Sequence, residues 1–167
     1  PIVKYTSKNL ASHILGYVGA INEEEYKTRK DTYRNDDVIG KTGIQKIFEQ
    51  YLKGEDGVKQ IDMAVDGSIT SEYVSKEAVA GSDVVLTIDA NLQKVAEEAL
   101  EKNIKDLQAG KFGKKKKDAK SGAVVVMKVK TGEVLALASC PDYEPALFTN
   151  GISQRVYDSY QKGSNLY

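Results

Sequence analysis

Cysteine, histidine, tryptophan and net charge are all scarce in this chain, and each scarcity closes off a class of function. Its 167 residues include one Cys (Cys140), one His (His13), three Pro and no Trp. A lone thiol cannot close an internal disulfide, and with a single His it cannot supply the ligand set of a usual zinc site. Lys+Arg and Asp+Glu number 24 each, for a formal charge of +0. A dedicated nucleic-acid binder carries a basic excess to neutralise phosphates, so no nucleic-acid partner is expected. No apolar run approaches the roughly 20 residues that cross a bilayer. No metal, cofactor or redox centre is expected either.

What is present suits a globular protein: 41% hydrophobic and 29% charged residues, in a chain long enough to bury roughly 68–70% of its unfolded surface. Residues 12–19 alternate, which predicts a short strand with Ser12, Ile14, Gly16 and Val18 on one face and His13, Leu15 and Tyr17 on the other. Asn22 and Glu25 have the spacing of a capping box that opens a short helix. Residues 30–37 read as a polar loop. Ile44, Ile47, Phe48, Tyr51 and Leu52 then recur at helical spacing, with Thr42 and Gln45 as a second capping box and Gly54 as the helix-ending glycine. Ile61, Met63 and Val65 alternate up to Asp66-Gly67, which predicts a hairpin over 58–74 with a two-residue turn. A further strand is expected at 84–88.

Asp89 is placed to cap the longest helix. Leu92, Val95, Ala96, Ala99, Leu100, Ile104 and Leu107 form its apolar stripe, Gly110 ends it, and Glu98/Lys102 and Glu101/Lys105 make favourable i,i+4 pairs. Residues 110–120 are a low-complexity, lysine-rich stretch read as a mobile loop. A hairpin over 122–139 follows, turning at Lys130-Thr131-Gly132. Its first arm is almost all Val and Met, the mark of a strand covered on both faces. Pro141, Asp142 and Pro145 stop it, and weak helical character returns around residues 156–160. The fold class is α+β: a pedestal of short strands and helices, followed by a long amphipathic helix packed on a β-hairpin.

Three short patterns invite a catalytic reading. Ser159-Tyr160-Gln161-Lys162 has the serine-x-x-lysine spacing in which a Lys amine activates a Ser hydroxyl. Lys-Thr-Gly occurs at 41–43 and 130–132, and Ser7-Lys8-Asn9 is a serine-x-asparagine. Their order along the chain is the reverse of the catalytic one, and each Lys-Thr-Gly has a local task, in a helix cap or a hairpin turn. The Ser159 pattern is a chance match, and no catalytic, cofactor-binding or metal-binding residue is assigned. His13 is expected to pack and Cys140 to serve as a small apolar residue. The ten Tyr share no period that would mark a carbohydrate surface. Lys111, Lys114, Lys115, Lys116, Lys117 and Lys120 leave open an alternative reading as a polyanion-binding module.

Taken in order, four blocks resemble a family. They are residues 16–19 (Gly-Tyr-Val-Gly); 40–45 (Gly-Lys-Thr-Gly-Ile-Gln) running on through 51–57; 81–89 (Gly-Ser-Asp-Val-Val-Leu-Thr-Ile-Asp) with Leu92-Gln93; and 122–127 with 131–139 and Pro141. Over residues 12–145 the chain is similar to the N-terminal extracytoplasmic part of a class B penicillin-binding protein. It departs from that pattern at Gln45, where Glu is usual, and at Lys128-Val129, where Asp-Pro is usual. The resemblance implies a non-catalytic pedestal at 1–80, the opening helix and hairpin of a transpeptidase domain at 81–145, and a truncated or engineered tail at 146–167. It further implies a parent enzyme that cross-links D-Ala-D-Ala stem peptides of peptidoglycan through an acyl-serine lying outside this stretch. The parent is expected to be anchored by an N-terminal transmembrane helix on the extracytoplasmic face of the bacterial membrane. A membrane glycosyltransferase of wall synthesis is the expected partner, with self-association as a second mode.

Overall fold

In the computed structural model the described residues are 3–149 and 151–162. By contacts the chain divides into two units, Pro1–Ile47 with Leu86–Tyr167, and Phe48–Val85. In order, the elements are α1 (Ser12–Leu15), β1 (Val18–Ala20), α2 (Glu23–Arg29), β2 (Val38–Gly40), α3 (Gly43–Ile47), α4 (Glu49–Leu52), β3 (Val58–Met63), β4 (Ile69–Lys76), α5 (Ala90–Ala109), β5 (Gly122–Met127), β6 (Val134–Cys140), α6 (Ala146–Thr149) and α7 (Gln154–Lys162). The strands pair as three antiparallel two-stranded sheets, β1–β2, β3–β4 and β5–β6. The α+β class follows.

The first unit corrects the sequence reading at its start. Residues 12–15 form one helical turn, not a strand, because their amides are satisfied locally: Ile14 and Leu15 N–H both donate to the Ala11 carbonyl. Gly16, at φ 75° and ψ −161°, then turns the chain into β1. The Asn22 capping box forms as expected, with Glu25 N–H donating to Asn22 Oδ1 and Asn22 N–H to Glu25 Oε2, both at 2.8 Å. A small core of Ile21, Tyr33 and Ile39, flanked by Tyr26, lies beneath. The expected Thr42–Gln45 box gives way to a longer-range contact: Gln45 Nε2 donates to Tyr5 Oη at 3.1 Å.

The apolar run from Ile44 to Leu52 makes two short helices instead of one. Phe48, at φ −102° and ψ 15°, lies outside helical geometry and separates α3 from α4. Gly54 is also not a helix-ending residue, since Lys53 closes α4 in extended geometry. Gly54 is there for space: a Cβ on it would lie 2.1 Å from the Val79 carbonyl oxygen.

In the second unit the predicted hairpin forms, with a three-residue connection in place of two. Ala64 N–H bonds to Ser68 O, Gly67 N–H bonds back to Ala64 O, and Gly67 takes φ 84°. That is a tight turn followed by a left-handed residue, the geometry three-residue hairpin loops favour. All residues of β3 and β4 are solvent-exposed.

Residues 84–88, which cross from the second unit into the first, do not form a strand. Only Asp89 N–H reaches β6, at Leu135 O (2.9 Å), helped by Thr87 Oγ1 on Val134 O (2.7 Å). Asp89 then caps α5, its Oδ1 accepting from Leu92 N–H at 2.8 Å. Gly110 ends the helix at φ 82°. The apolar stripe is narrower than its spacing suggested, with Leu92, Ala96, Leu100 and Ile104 turned inward and Val95 and Ala99 exposed. Leu92, Ala96 and Leu100 pack on Val124, Val126, Ala136 and Ala138, so α5 covers one face of the β5–β6 hairpin. The Glu101–Lys105 pair forms at 2.5 Å, whereas Lys102 turns to Asp106 rather than Glu98. The 122–139 hairpin is confirmed, with Gly132 and Thr131 N–H both returning to Lys128 O. The hairpin packs on α5 through one face, and the other face is open in this chain: Val125 is 56% and Met127 52% exposed.

Candidate functional site

The described side chains of the catalytic-looking patterns are engaged in local contacts. Ser159 lies on α7 and donates to Val156 O of its own helix at 2.6 Å. The side chain of Lys162 falls outside the described residues. Lys41 is committed to Glu25, with Nζ 2.5 Å from Oε2. Burial alone would raise the Glu25 pKa, but the bonds from Lys41 and the Asn22 N–H outweigh it and hold the carboxyl below its ordinary range. In the second Lys-Thr-Gly, Thr131 Oγ1 donates to Glu133 Oε2 at 2.7 Å within the turn. Lys8 faces Glu144 at 3.5 Å, and Asn9 donates to Asp142. The second copy of Lys-Thr-Gly thus has the turn role expected of it, while the first, expected in a helix cap, instead ties Lys41 to Glu25.

His13 packs, as anticipated. Its ring meets Tyr143 edge-on with centroids 5.1 Å apart, and Nε2 lies 3.1 Å from Pro141 O. Around it, Tyr17 stacks on Phe148 at 4.3 Å, and Tyr143 Oη donates to Ser12 O at 2.8 Å. Burial pushes the Tyr143 hydroxyl pKa up. Burial also raises the Cys140 thiol pKa, seconded by Asp142 and Glu101. Among the described residues, no three His, Cys, Asp or Glu side chains are grouped to hold a metal ion. A groove of about 420 Å³ beside Cys140 is lined by Glu97, Glu98, Glu101, Asp142 and Lys94.

The features that set the surface chemistry lie where sequence periodicity gave little warning. Gln93 is 0% exposed. Its side-chain amide acts on β6 as a strand would: Leu137 N–H donates to Oε1 at 2.7 Å, and Nε2 donates to Leu137 O at 2.9 Å. Nε2 also donates to Glu97 Oε1 at 2.7 Å, and that same oxygen accepts Ala11 N–H at 2.8 Å. One bracket therefore ties α5, β6 and the start of α1 together. Its only trace in sequence is the place of Gln93 beside Leu92 at the margin of the inward face.

The bracket makes the two edges of the β5–β6 sheet unequal. The outer edge of β6 is sealed by Asp89 N–H on Leu135 O and by the Gln93 amide on Leu137. Because Leu137 spends its backbone groups there, its pairing with Val125 is a non-hydrogen-bonded one, and the N–H and C=O of Val125 point away from β6. The open edge of β5 and the exposed apolar side chains Val125, Met127 and Leu137 form one continuous candidate interaction surface.

The lysine-rich connection between α5 and β5 is fastened to the helix. Lys116 N–H donates to Leu107 O at 3.0 Å and Gln108 Nε2 to Ala119 O at 2.6 Å. The buried Asp106 carboxylate clasps Lys102 at 2.6 Å and Lys111 at 2.5 Å, and these two bonds lower its pKa. A carboxylate near a helix C-terminus opposes the macrodipole, and the paired ammonium groups offset that. Because the folded pKa is depressed, the contribution of this clasp is complete above the ordinary Asp range near 3.9 and is lost as pH falls through the lower folded value. Asp106→Asn is expected to lower the amide-exchange protection factor of Lys116 severalfold at neutral pH; an unchanged value would show that the clasp does not hold the loop.

With that geometry in hand, comparison with known proteins is informative. Over 156 residues the chain is 35% identical to the peptidoglycan D,D-transpeptidase MrdA of Acinetobacter baumannii, a match covering 93% of this chain and 21% of that protein. The chain therefore spans about a fifth of that relative's length. Among solved structures, it is similar to a chain of a peptidoglycan synthase complex described as coordinating polymerization and crosslinking, with TM-score 0.80, 33% identity, and coverage of 97% of this chain and 28% of that one. The penicillin-binding protein PBP2 of Helicobacter pylori, in complex with MreC, matches with TM-score 0.68 and 30% identity over 95% of this chain and 26% of its own. The profile of the penicillin-binding protein dimerisation domain matches residues 3–86, half of the sequence, and the chain belongs to that family.

Proposed function

We propose that this chain is the non-catalytic scaffold portion of a bacterial peptidoglycan transpeptidase acting in cell-wall synthesis. In this reading residues 1–80 are the pedestal, residues 81–145 begin the transpeptidase domain with α5 and the β5–β6 hairpin, and residues 146–167 are a tail. The observation that carries it is the unequal finish of that hairpin. One face is covered by α5 and the β6 edge is bonded at Leu135 and Leu137 by Asp89 and Gln93, while the other face is apolar and exposed and, among the described residues, the β5 edge is open. Sheet surfaces of that kind are stabilised by cover, and the remainder of a transpeptidase domain is the cover this reading supplies.

The parent would cross-link D-Ala-D-Ala stem peptides through an acyl-serine outside these residues, with no residue here in a catalytic role. It would be held on the extracytoplasmic face of the membrane by an N-terminal transmembrane helix; no described helix of this chain is long and apolar enough to cross one. A membrane glycosyltransferase is the partner this reading favours, with self-association as a second mode. Support comes from the similar chain in a peptidoglycan synthase complex and from the relative in complex with MreC.

Incubation with a fluorescent penicillin tests the assignment: no covalent adduct is expected, and an adduct on Ser159 would overturn it. Amide exchange gives an independent test. Val125 N–H should exchange rapidly in this chain and become protected when the rest of a transpeptidase domain follows. Strong protection of Val125 in a monomer of the 167-residue chain counts against the proposed cover.

A further inference from the structure

The loop between α5 and β5 presents concentrated charge and one exposed aromatic ring. Residues 110–120 hold Lys111, Lys114, Lys115, Lys116, Lys117 and Lys120 against a single acid, Asp118. Lys111 is bound to Asp106; among the described residues the other five make no ion pair. Phe112, beside them, is 66% exposed. Since the whole chain has a formal charge of +0, this is a local patch and not part of a general basic field.

Its geometry is that of a presented loop. The base is fixed by the Lys116–Leu107 and Gln108–Ala119 bonds. Gly110 and Gly113 turn the backbone at φ 82° and 115°, and the Cβ position of Gly113 faces open space. Four consecutive lysines repel one another in the free chain, and that repulsion is relieved when an anion arrives.

Two kinds of anion would relieve it, and Phe112 separates them. A soluble polyanion without aromatic groups, such as polyphosphate, neutralises lysines but offers no environment for an exposed phenyl ring. A bilayer containing acidic lipids takes both, the ammonium groups among the headgroups and the ring at the acyl boundary. We propose that this loop docks reversibly on an anionic phospholipid surface, with Lys114, Lys115, Lys116 and Lys117 on the headgroups and Phe112 inserted at the interface. The proposal rests on the loop alone and is independent of the transpeptidase assignment.

Co-sedimentation of the 167-residue chain with vesicles tests it, comparing phosphatidylglycerol mixed into phosphatidylcholine with phosphatidylcholine alone. Binding is expected only to the mixed vesicles and should weaken steeply with added salt. At about fivefold per lysine near the surface, replacing Lys114–Lys117 together by Ser should lower the partition coefficient by nearly three orders of magnitude, to about 1/600 of its value. Phe112→Ser should lower it severalfold at constant charge. Circular dichroism of the variants should retain the α5 signal, since the altered side chains are exposed. Equal binding to neutral vesicles, or a quadruple variant that binds like the parent chain, overturns the proposal. So does a Phe112→Ser chain that binds unchanged and is stripped by inorganic polyphosphate, which would identify a soluble polyanion as the ligand.

Discussion

Replacing Gly16 by Ala is expected to destabilise the first unit by about 3 kcal/mol or more. Two separate obstacles act at this position. At φ 75° and ψ −161° its backbone lies in a region essentially reserved for glycine. A Cβ there would also stand 2.0 Å from the Thr42 carbonyl oxygen and 2.9 Å from Gly43 N. Those are backbone atoms, so no side-chain rotation relieves the overlap. Gly43 is itself at φ 59°, and a Cβ on it would meet Ile14 O at 2.4 Å. The two glycines allow α1 and the start of α3 to touch through their backbones. For a chain of this length the penalty corresponds to a fall in Tm of roughly 6–12 °C. Gly132→Ala is the control: its φ of 77° is similar, yet nothing lies within 4 Å of the added carbon. That variant should lose only the left-handed strain, about 1–2 kcal/mol. Equal losses in the two variants would mean that α1 and α3 separate at little cost, and the close approach would not be a fixed point of the fold.

Gly16 and Gly43 also show what a sequence can and cannot disclose. The blocks containing them were legible as matches to a family, but the contact between them was not, because a glycine carries no periodicity and no side chain to place. Elements whose information is local were legible: the Asn22 capping box, the Asp89 cap, the β3–β4 hairpin and the β5–β6 hairpin each depend on residues within a few positions of one another. The misreadings share a different cause. Residues 12–15 alternate like a strand, yet a single turn satisfies their amides. The stretch from Ile44 to Leu52 keeps helical spacing across a break at Phe48, which repeats of three and four cannot register. Residues 84–88 have strand composition, but the β6 edge they would pair with is largely taken by a side chain. The apolar composition of β5 reports how a strand is suited to be covered, not which residues supply the cover, and in this chain Val125 and Met127 are left exposed.

Gln93→Leu should be nearly as damaging as the glycine substitution, at about 3 kcal/mol, although it places an apolar residue in a fully buried position. The substitution fits the helix and the neighbouring Leu92–Ala96–Leu100 face, so hydrophobic reasoning alone would score it as favourable. What it removes is the pair of bonds that satisfies Leu137 N–H and C=O, and each buried backbone group left without a partner costs about 1–3 kcal/mol. Glu97 Oε1 would keep Ala11 N–H but lose its second donor. Gln93→Glu dissects the same bracket by protonation. An ionised carboxylate can still accept from Leu137 N–H, but it cannot donate to Leu137 O, and it faces Glu97 from a fully buried position. Burial and the neighbouring charge must therefore raise its pKa above the unfolded value. With the folded pKa raised, stability is greatest below the unfolded Glu value near 4.3 and declines as pH climbs through the folded one. The Gln93→Glu chain should accordingly approach the parent in urea midpoint at acidic pH and fall behind it at neutral pH, while Gln93→Leu stays destabilised throughout. Amide exchange at Leu137 supplies the local readout, with protection lost in Gln93→Leu at every pH. If the Leu variant matches the parent in both midpoint and Leu137 protection, then β6 keeps its edge closed without this amide, and the sealed-and-open asymmetry of the hairpin has another origin.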